Sequence, residues 1–119
     1  MKKLLLRFTH ALSGVKSLLV EDRNIRIHVF FTLIVVIVAS WLETSYVEWA
    51  LLIGCMGSDI SLEIVNSAIE KFCDFVHPSY NHSIGKIKDY SAGAVLIAST
   101  TSLIIGLIIF IPHIKGLVK

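Results

Sequence analysis

The chain has 119 residues, 55% of them hydrophobic, and a mean hydropathy of +0.76. That is too apolar for an ordinary soluble domain of this size, and the expected class is an all-α membrane protein forming a single domain over 1–119. The formal net charge is only +2, and no nucleic-acid partner is expected; no internal repeat, low-complexity segment or Gly/Ser-rich linker divides the chain.

Met1-Lys2-Lys3-Leu4-Leu5-Leu6 begins like a signal peptide, but Arg7 and His10 interrupt the apolar run and no cleavage-like pattern follows. Leu4, Leu5, Phe8, Ala11, Leu12, Val15, Leu18 and Leu19 recur at spacings of three and four, with Lys2, Lys3, Arg7 and Lys16 around them. This pattern predicts an amphipathic surface helix lying in the membrane interface. A helix packed on a soluble partner is the plainer alternative. Three hydrophobic spans follow. The first, from about Ile27 to Leu42, is short and extends into the preceding Arg23–Arg26 segment or tilts little. The second runs from about Val47 to Ile69. The third, Ala92 to Ile111, is free of charge, and Pro112 marks its end.

Lys2, Lys3, Arg7, Lys16, Arg23 and Arg26 precede the first span, and Lys71, Lys86 and Lys88 lie between the second and third. Only Lys115 and Lys119 follow the third, and the turn after the first span has no cation. The excess predicts that the N-terminus and the second loop are cytoplasmic. Trp41, Tyr46 and Trp49 then form an aromatic belt at the outer interface. Cys55 and Cys73 lie about 27 Å apart along one helix, too far for a disulfide.

The inner end of the second span reads Glu63-Ile64-Val65-Asn66-Ser67-Ala68-Ile69-Glu70. Taking Glu63 as the origin, Asn66 falls at about −60°, Glu70 at about −20° and Asp74 at about +20° around the helix. A carboxylate at bilayer depth costs roughly 2.5–3.5 kcal/mol or more, so such a stripe points to function. A stripe that only holds helices together could use Asn or Ser without that penalty.

Magnesium-dependent phosphoryl transfer needs carboxylates for the metal, a base for the nucleophile, cations for the phosphate oxygens and exclusion of water. Glu63, Glu70 and Asp22 supply candidate base and metal ligands at one membrane face, and Lys88 can meet phosphate. Glu63 is the deepest, nearest to where a lipid hydroxyl would sit. Gly54-Cys55-Met56-Gly57-Ser58 lacks the Lys and the spacing of a P-loop, and its glycines suit close helix packing.

Glu63 to Glu70, Asp74, and Lys88-Asp89 followed by Ala92-Gly93-Ala94-Val95-Leu96 resemble the small integral-membrane diacylglycerol kinase/undecaprenol kinase family of bacteria. The resemblance extends without gaps over nearly the whole chain. Arg23-Asn24-Ile25-Arg26-Ile27-His28, Glu48-Trp49 and Phe110-Ile111-Pro112 are more similar to the undecaprenol-kinase branch. It implies a lipid kinase of the bacterial cytoplasmic membrane, acting in phospholipid and lipid metabolism. ATP would be its co-substrate and Mg2+ its cofactor, with undecaprenol or diacylglycerol as acceptor. It also implies a homotrimer with three spans per subunit, a surface helix, and active sites between subunits. By the same resemblance Glu63 falls on the presumed general base, which also meets the substrate, and Glu70 on a magnesium ligand. Asn66, Lys88, Asp89, the loop Ser79-Tyr80-Asn81 and His10 fall at the nucleotide.

Two positions depart from the family. Its second metal-binding acid is usually Glu, where this chain has Asp22, one methylene shorter; Asp22 is favoured, with Glu21 as substitute. Asp59 stands where an apolar residue is usual, one turn deeper than Glu63. It could tune the base, bind a polar substrate head, or disable the enzyme. Other residues have plainer readings: His28 as an interfacial capping or packing group, His77 and His82 as loop surface, Asp74 as a helix-end ion-pair residue, and Thr100, Thr101 and Ser102 as backbone or helix partners. Lys86 reads as a lipid-headgroup contact. A rival from another class is a small oligomeric transporter or channel subunit using Glu63 and Asp59 as a relay. Lys88-Asp89 and the acidic group before the first span argue against it.

Overall fold

A computed structural model describes residues 1–118; Lys119, counted above in the charge balance, lies outside them. Four helices follow in chain order: α1 Lys2–Glu21, α2 Arg23–Trp41, α3 Tyr46–Val76 and α4 His82–Val118. α2, α3 and α4 are long and apolar enough to cross a membrane. There is no strand among the described residues.

Each break has a local cause. Between α1 and α2 a single residue, Asp22, is extended, with φ −106° and ψ 114°. Its Oδ1 accepts hydrogen bonds from the backbone N–H groups of Asn24 (2.9 Å) and Ile25 (3.3 Å), so it caps α2. Arg26 Nη1 reaches back to the carbonyls of Leu19 (3.2 Å) and Val20 (2.7 Å), the exposed acceptors at the end of α1. Between α2 and α3, Glu43 takes a positive φ of 54°, a conformation that reverses the chain after a helix. Ser45 and Glu48 then form a reciprocal capping box at the start of α3. Asn81 Oδ1 accepts from the N–H groups of Ser83 (2.9 Å) and Ile84 (3.3 Å) and starts α4.

α3 and α4 form an antiparallel hairpin pinned along its length. At one end His113 Nε2 lies 3.0 Å from Glu48 Oε1. Ala39, Leu52 and Ile109 make a small apolar core nearby, with Val35, Trp49, Met56, Ile105 and Phe110 against it. At the other end Lys88 pairs with Asp74. α1 buries none of its residues against the other helices, so its apolar stripe is open on the protomer.

Three details differ from the sequence reading. α3 and α4 run to 31 and 37 residues, past the ends of their apolar stretches. Pro112 does not end α4, because a proline removes one backbone hydrogen bond and neighbouring turns can hold the helix across the gap. In the aromatic belt, Trp41 and Tyr46 are exposed, while Trp49 turns inward onto the core.

Candidate active site

The stripe on α3 turns toward the other two long helices, and its central residues are buried: Glu63, Asn66 and Ser67 are 3%, 6% and 3% exposed. Glu63 Oε2 lies 3.6 Å from Nε2 of His28 on α2. Asn66 Oδ1 accepts a hydrogen bond of 2.6 Å from Ser91 Oγ on α4. Ser67 Oγ donates to Asp22 Oδ2 at the α1–α2 break. Each stripe residue thus holds a different neighbouring segment. Glu70 is half-buried one turn beyond Asn66.

Asp22 lies outside the spans, and its carboxyl is held below the usual carboxylate range. Partial burial acts to raise it but is outweighed by the hydrogen bonds from Ser67 Oγ and the N–H groups of Ile25 and Asn24, with help from the charge of Lys71. Aspartate suits this place because one oxygen must cap α2 at close range while the other faces α3. Glu21 is exposed at the end of α1 and makes no such bond.

The loop between α3 and α4 frames a second part of the site. His77, Pro78, Ser79, Tyr80, Asn81 and Lys88 line a cavity of about 250 Å3. His77 Nδ1 lies 2.7 Å from the carbonyl of Ser79 and closes the loop. The Asn81 side chain is occupied in capping α4. Asp89 borders a separate depression with Tyr80, His82 and Lys86. Lys88 and Asp89 therefore flank Tyr80 on two sides. Gly85 allows this: a Cβ there would stand 3.3 Å from Cε2 of the Tyr80 ring.

The structure brings Asp22, Glu63, Asn66 and Glu70 together between the helices, and gathers Ser79, Tyr80, Asn81 and Lys88 at the adjoining loop. It leaves His10 exposed on α1, without a hydrogen bond to any other candidate. Asp74 is the helix-end ion-pair residue, with Lys88 as its partner. His28, read from the sequence as a capping or packing group, faces the central carboxylate. Ser67, Ser91 and Gly85 were not singled out in the sequence. Ser67 sits on the polar stripe and Ser91 follows Lys88-Asp89-Tyr90, but nothing local reveals partners 45 and 25 residues away.

Among the described residues no three His, Cys, Asp or Glu side chains converge on one point. The donors present are nonetheless hard carboxylate oxygens, and magnesium is commonly held by one or two carboxylates together with phosphate oxygens. Asp22 and Glu70 fit that requirement.

The prokaryotic diacylglycerol kinase family model matches residues 9–110. The chain belongs to this family. It is 34% identical over 107 residues to the undecaprenol kinase of Bacillus subtilis (strain 168), covering 90% of this chain and 87% of that protein. It is also 34% identical over 115 residues to the diacylglycerol kinase of Synechocystis, covering 96% of this chain and 66% of that protein. The diacylglycerol kinase of Escherichia coli (strain K12) is 30% identical over 100 residues, with 84% and 82% covered. The chain is thus a membrane lipid kinase, and the transporter alternative gives way to that.

Proposed function

We propose that this kinase transfers the γ-phosphoryl group of ATP to undecaprenol at the cytoplasmic face of a bacterial inner membrane, with Mg2+ and as a homotrimer. The observation that carries the reading is Glu63, a carboxyl group buried within an apolar helix, facing His28 and sharing its helical stripe with Glu70. Glu63 accepts the proton of the lipid hydroxyl as that oxygen attacks the γ-phosphorus. The bond from the γ-phosphorus to the β–γ bridging oxygen breaks, and ADP leaves with that electron pair. His28 orients the Glu63 carboxyl. Magnesium held by Glu70 and Asp22 would neutralise charge on the phosphate oxygens. Asn66, held by Ser91, lines the approach of the nucleotide. Lys88 and the Ser79-Tyr80-Asn81 loop receive its phosphates and base at the water-facing end, with Asp89 and His10 as further contacts.

A polyprenol acceptor is supported by the name of the Bacillus subtilis relative and by the resemblance of Arg23–His28, Glu48-Trp49 and Phe110–Pro112 to that branch. The relatives named diacylglycerol kinase favour diacylglycerol as the second reading. The orientation rests on the excess of Lys and Arg before α2 and between α3 and α4.

The deciding experiment supplies purified protein in proteoliposomes with labelled ATP and each lipid in turn. Phosphate on undecaprenol, dependent on magnesium, is the expected result. Label on diacylglycerol alone would replace the acceptor, and label on neither would reject lipid phosphorylation.

A further inference from the structure

Apart from Glu21, the substitute for Asp22, Asp59 is the one site candidate that the proposed transfer leaves without a task. It lies four residues before Glu63 on α3, about 6 Å deeper along the axis. Its Oδ1 is buried and has no hydrogen-bond partner, which is true of no other buried side-chain oxygen or nitrogen among the described residues. Asp59 borders a cavity of about 110 Å3 lined by all three long helices. It also borders a groove of about 380 Å3 between α2 and α4. The two spaces share His28, Phe31, Ser102, Gly106 and Phe110, so the cavity has a mouth at the flank of the protomer. His28 also joins this space to Glu63, 3.6 Å from its ring. The cavity thus lies beside the candidate active site, with His28 between the two.

Asp59 is half-buried, and a buried acceptor oxygen that the protein itself supplies with no donor favours any occupant of the cavity that brings one. Neither acceptor considered so far brings one. Beyond its hydroxyl, undecaprenol is hydrocarbon. Diacylglycerol presents ester oxygens, which are acceptors, as is a carboxylate. A second O–H or N–H close to the phosphorylated hydroxyl meets the need. Neighbouring oxygens of a diol stand about 3 Å apart, and a hydrogen bond of about 2.7 Å at each end spans the separation of two carboxyl groups one turn apart.

We propose that Asp59 is a specificity-determining residue that extends the range of this kinase to lipid alcohols carrying a second hydrogen-bond donor, a hydroxyl or amine one or two carbons from the hydroxyl presented to Glu63. The proposal rests on the lipid-kinase reading, and its test separates the two.

The full chain is reconstituted in vesicles with labelled ATP and given three acceptors: undecaprenol, a 1-acylglycerol, and the same 1-acylglycerol with its 2-hydroxyl methylated. The last two differ only in the second donor. The wild-type protein is expected to use the free diol with kcat/KM about 10- to 100-fold above its methyl ether, the range of a hydrogen bond to a charged group. Asp59→Val is expected to erase most of that ratio. Asp59→Asn, which keeps an acceptor oxygen in place but not the charge, is expected to retain a smaller ratio of about 2- to 10-fold. Equal rates for the matched pair in the wild-type protein, with undecaprenol phosphorylated, overturn the Asp59 proposal alone. Transfer to none of the three, nor to diacylglycerol supplied alongside them, overturns the kinase reading and the proposal with it; transfer to diacylglycerol but not to the free diol overturns the Asp59 proposal alone. A ratio that survives Asp59→Val reflects the bulk of the methyl group and also overturns it. So does a changed number of assembled copies with an unchanged ratio, which would assign the missing donor to a second copy of the chain. Should Asp59→Val fail to fold, the wild-type ratio and Asp59→Asn decide.

Discussion

Replacing Glu63 by Gln keeps the side-chain volume and removes the group that takes the proton. Phosphoryl transfer from labelled ATP is expected to fall by about 10²–10⁴-fold while the protein stays assembled. A rate near that of the wild type would take Glu63 out of the role of base. Glu70→Gln and Asp22→Asn each remove an anionic oxygen, so both are expected to raise the magnesium concentration needed for half-maximal activity. Unchanged midpoints in both variants would reject metal ligation there. A shift with Glu21→Gln and none with Asp22→Asn would move the ligand by one residue. Asp22 has its second oxygen turned to α3 by Ser67. Glu63, Asn66 and Glu70 were legible in the sequence because α-helical spacing alone puts them on one stripe. His28 was not, since its role depends on how α2 docks against α3, 35 residues away in the chain.

The connections between helices carry the next set of expectations. Glu43 holds φ 54° after α2, a conformation that costs a residue with a Cβ about 1–2 kcal/mol. Glu43→Gly is therefore expected to raise the heat resistance of the purified protein, followed by loss of helical circular dichroism on warming. Ser45→Ala removes one half of the capping box of α3 and is expected to lower stability by about 1 kcal/mol in the same measurement. An unchanged midpoint for Ser45→Ala would mean that α3 is held at that end by Glu48 and His113 alone. Helix identity was read correctly from the apolar spacing, but helix ends were not. α3 and α4 continue beyond their hydrophobic stretches because Asp74–Lys88 and Glu48–His113 fasten the hairpin outside its apolar part.

Across the whole molecule, large apolar side chains stand on the outside of the protomer, including Phe30, Phe72, Leu96 and Leu103. Some of this surface faces lipid, and a homotrimer would cover another part. The mass of the protein in mild detergent, with chemical cross-linking in the membrane, is expected to give three copies. A fully active single copy would overturn the trimer and place the entire site within one protomer. The apolar core between the helices is small, centred on Ala39, Leu52 and Ile109. The hydrogen bonds of Asn66 and Ser67 and the approach of His28 to Glu63 join the helices at the other end of α3, and those polar contacts are the candidate site.

Composition and hydropathy by themselves determined that this chain is helical and membrane-embedded, because an apolar run of span length has few other stable states. Helical periodicity determined which carboxylates share a face, and local motifs carried the resemblance to a lipid kinase. Only the tertiary structure decided that Asp22 is at once a helix cap and the partner of Ser67, that Lys88 rests on Asp74, and that Glu63 faces His28. It alone left Asp59 with a buried oxygen and no donor. Spacing along one helix follows from the geometry of the backbone. Pairing between helices depends on the angle and depth at which separate segments pack, and those are settled by every contact at once.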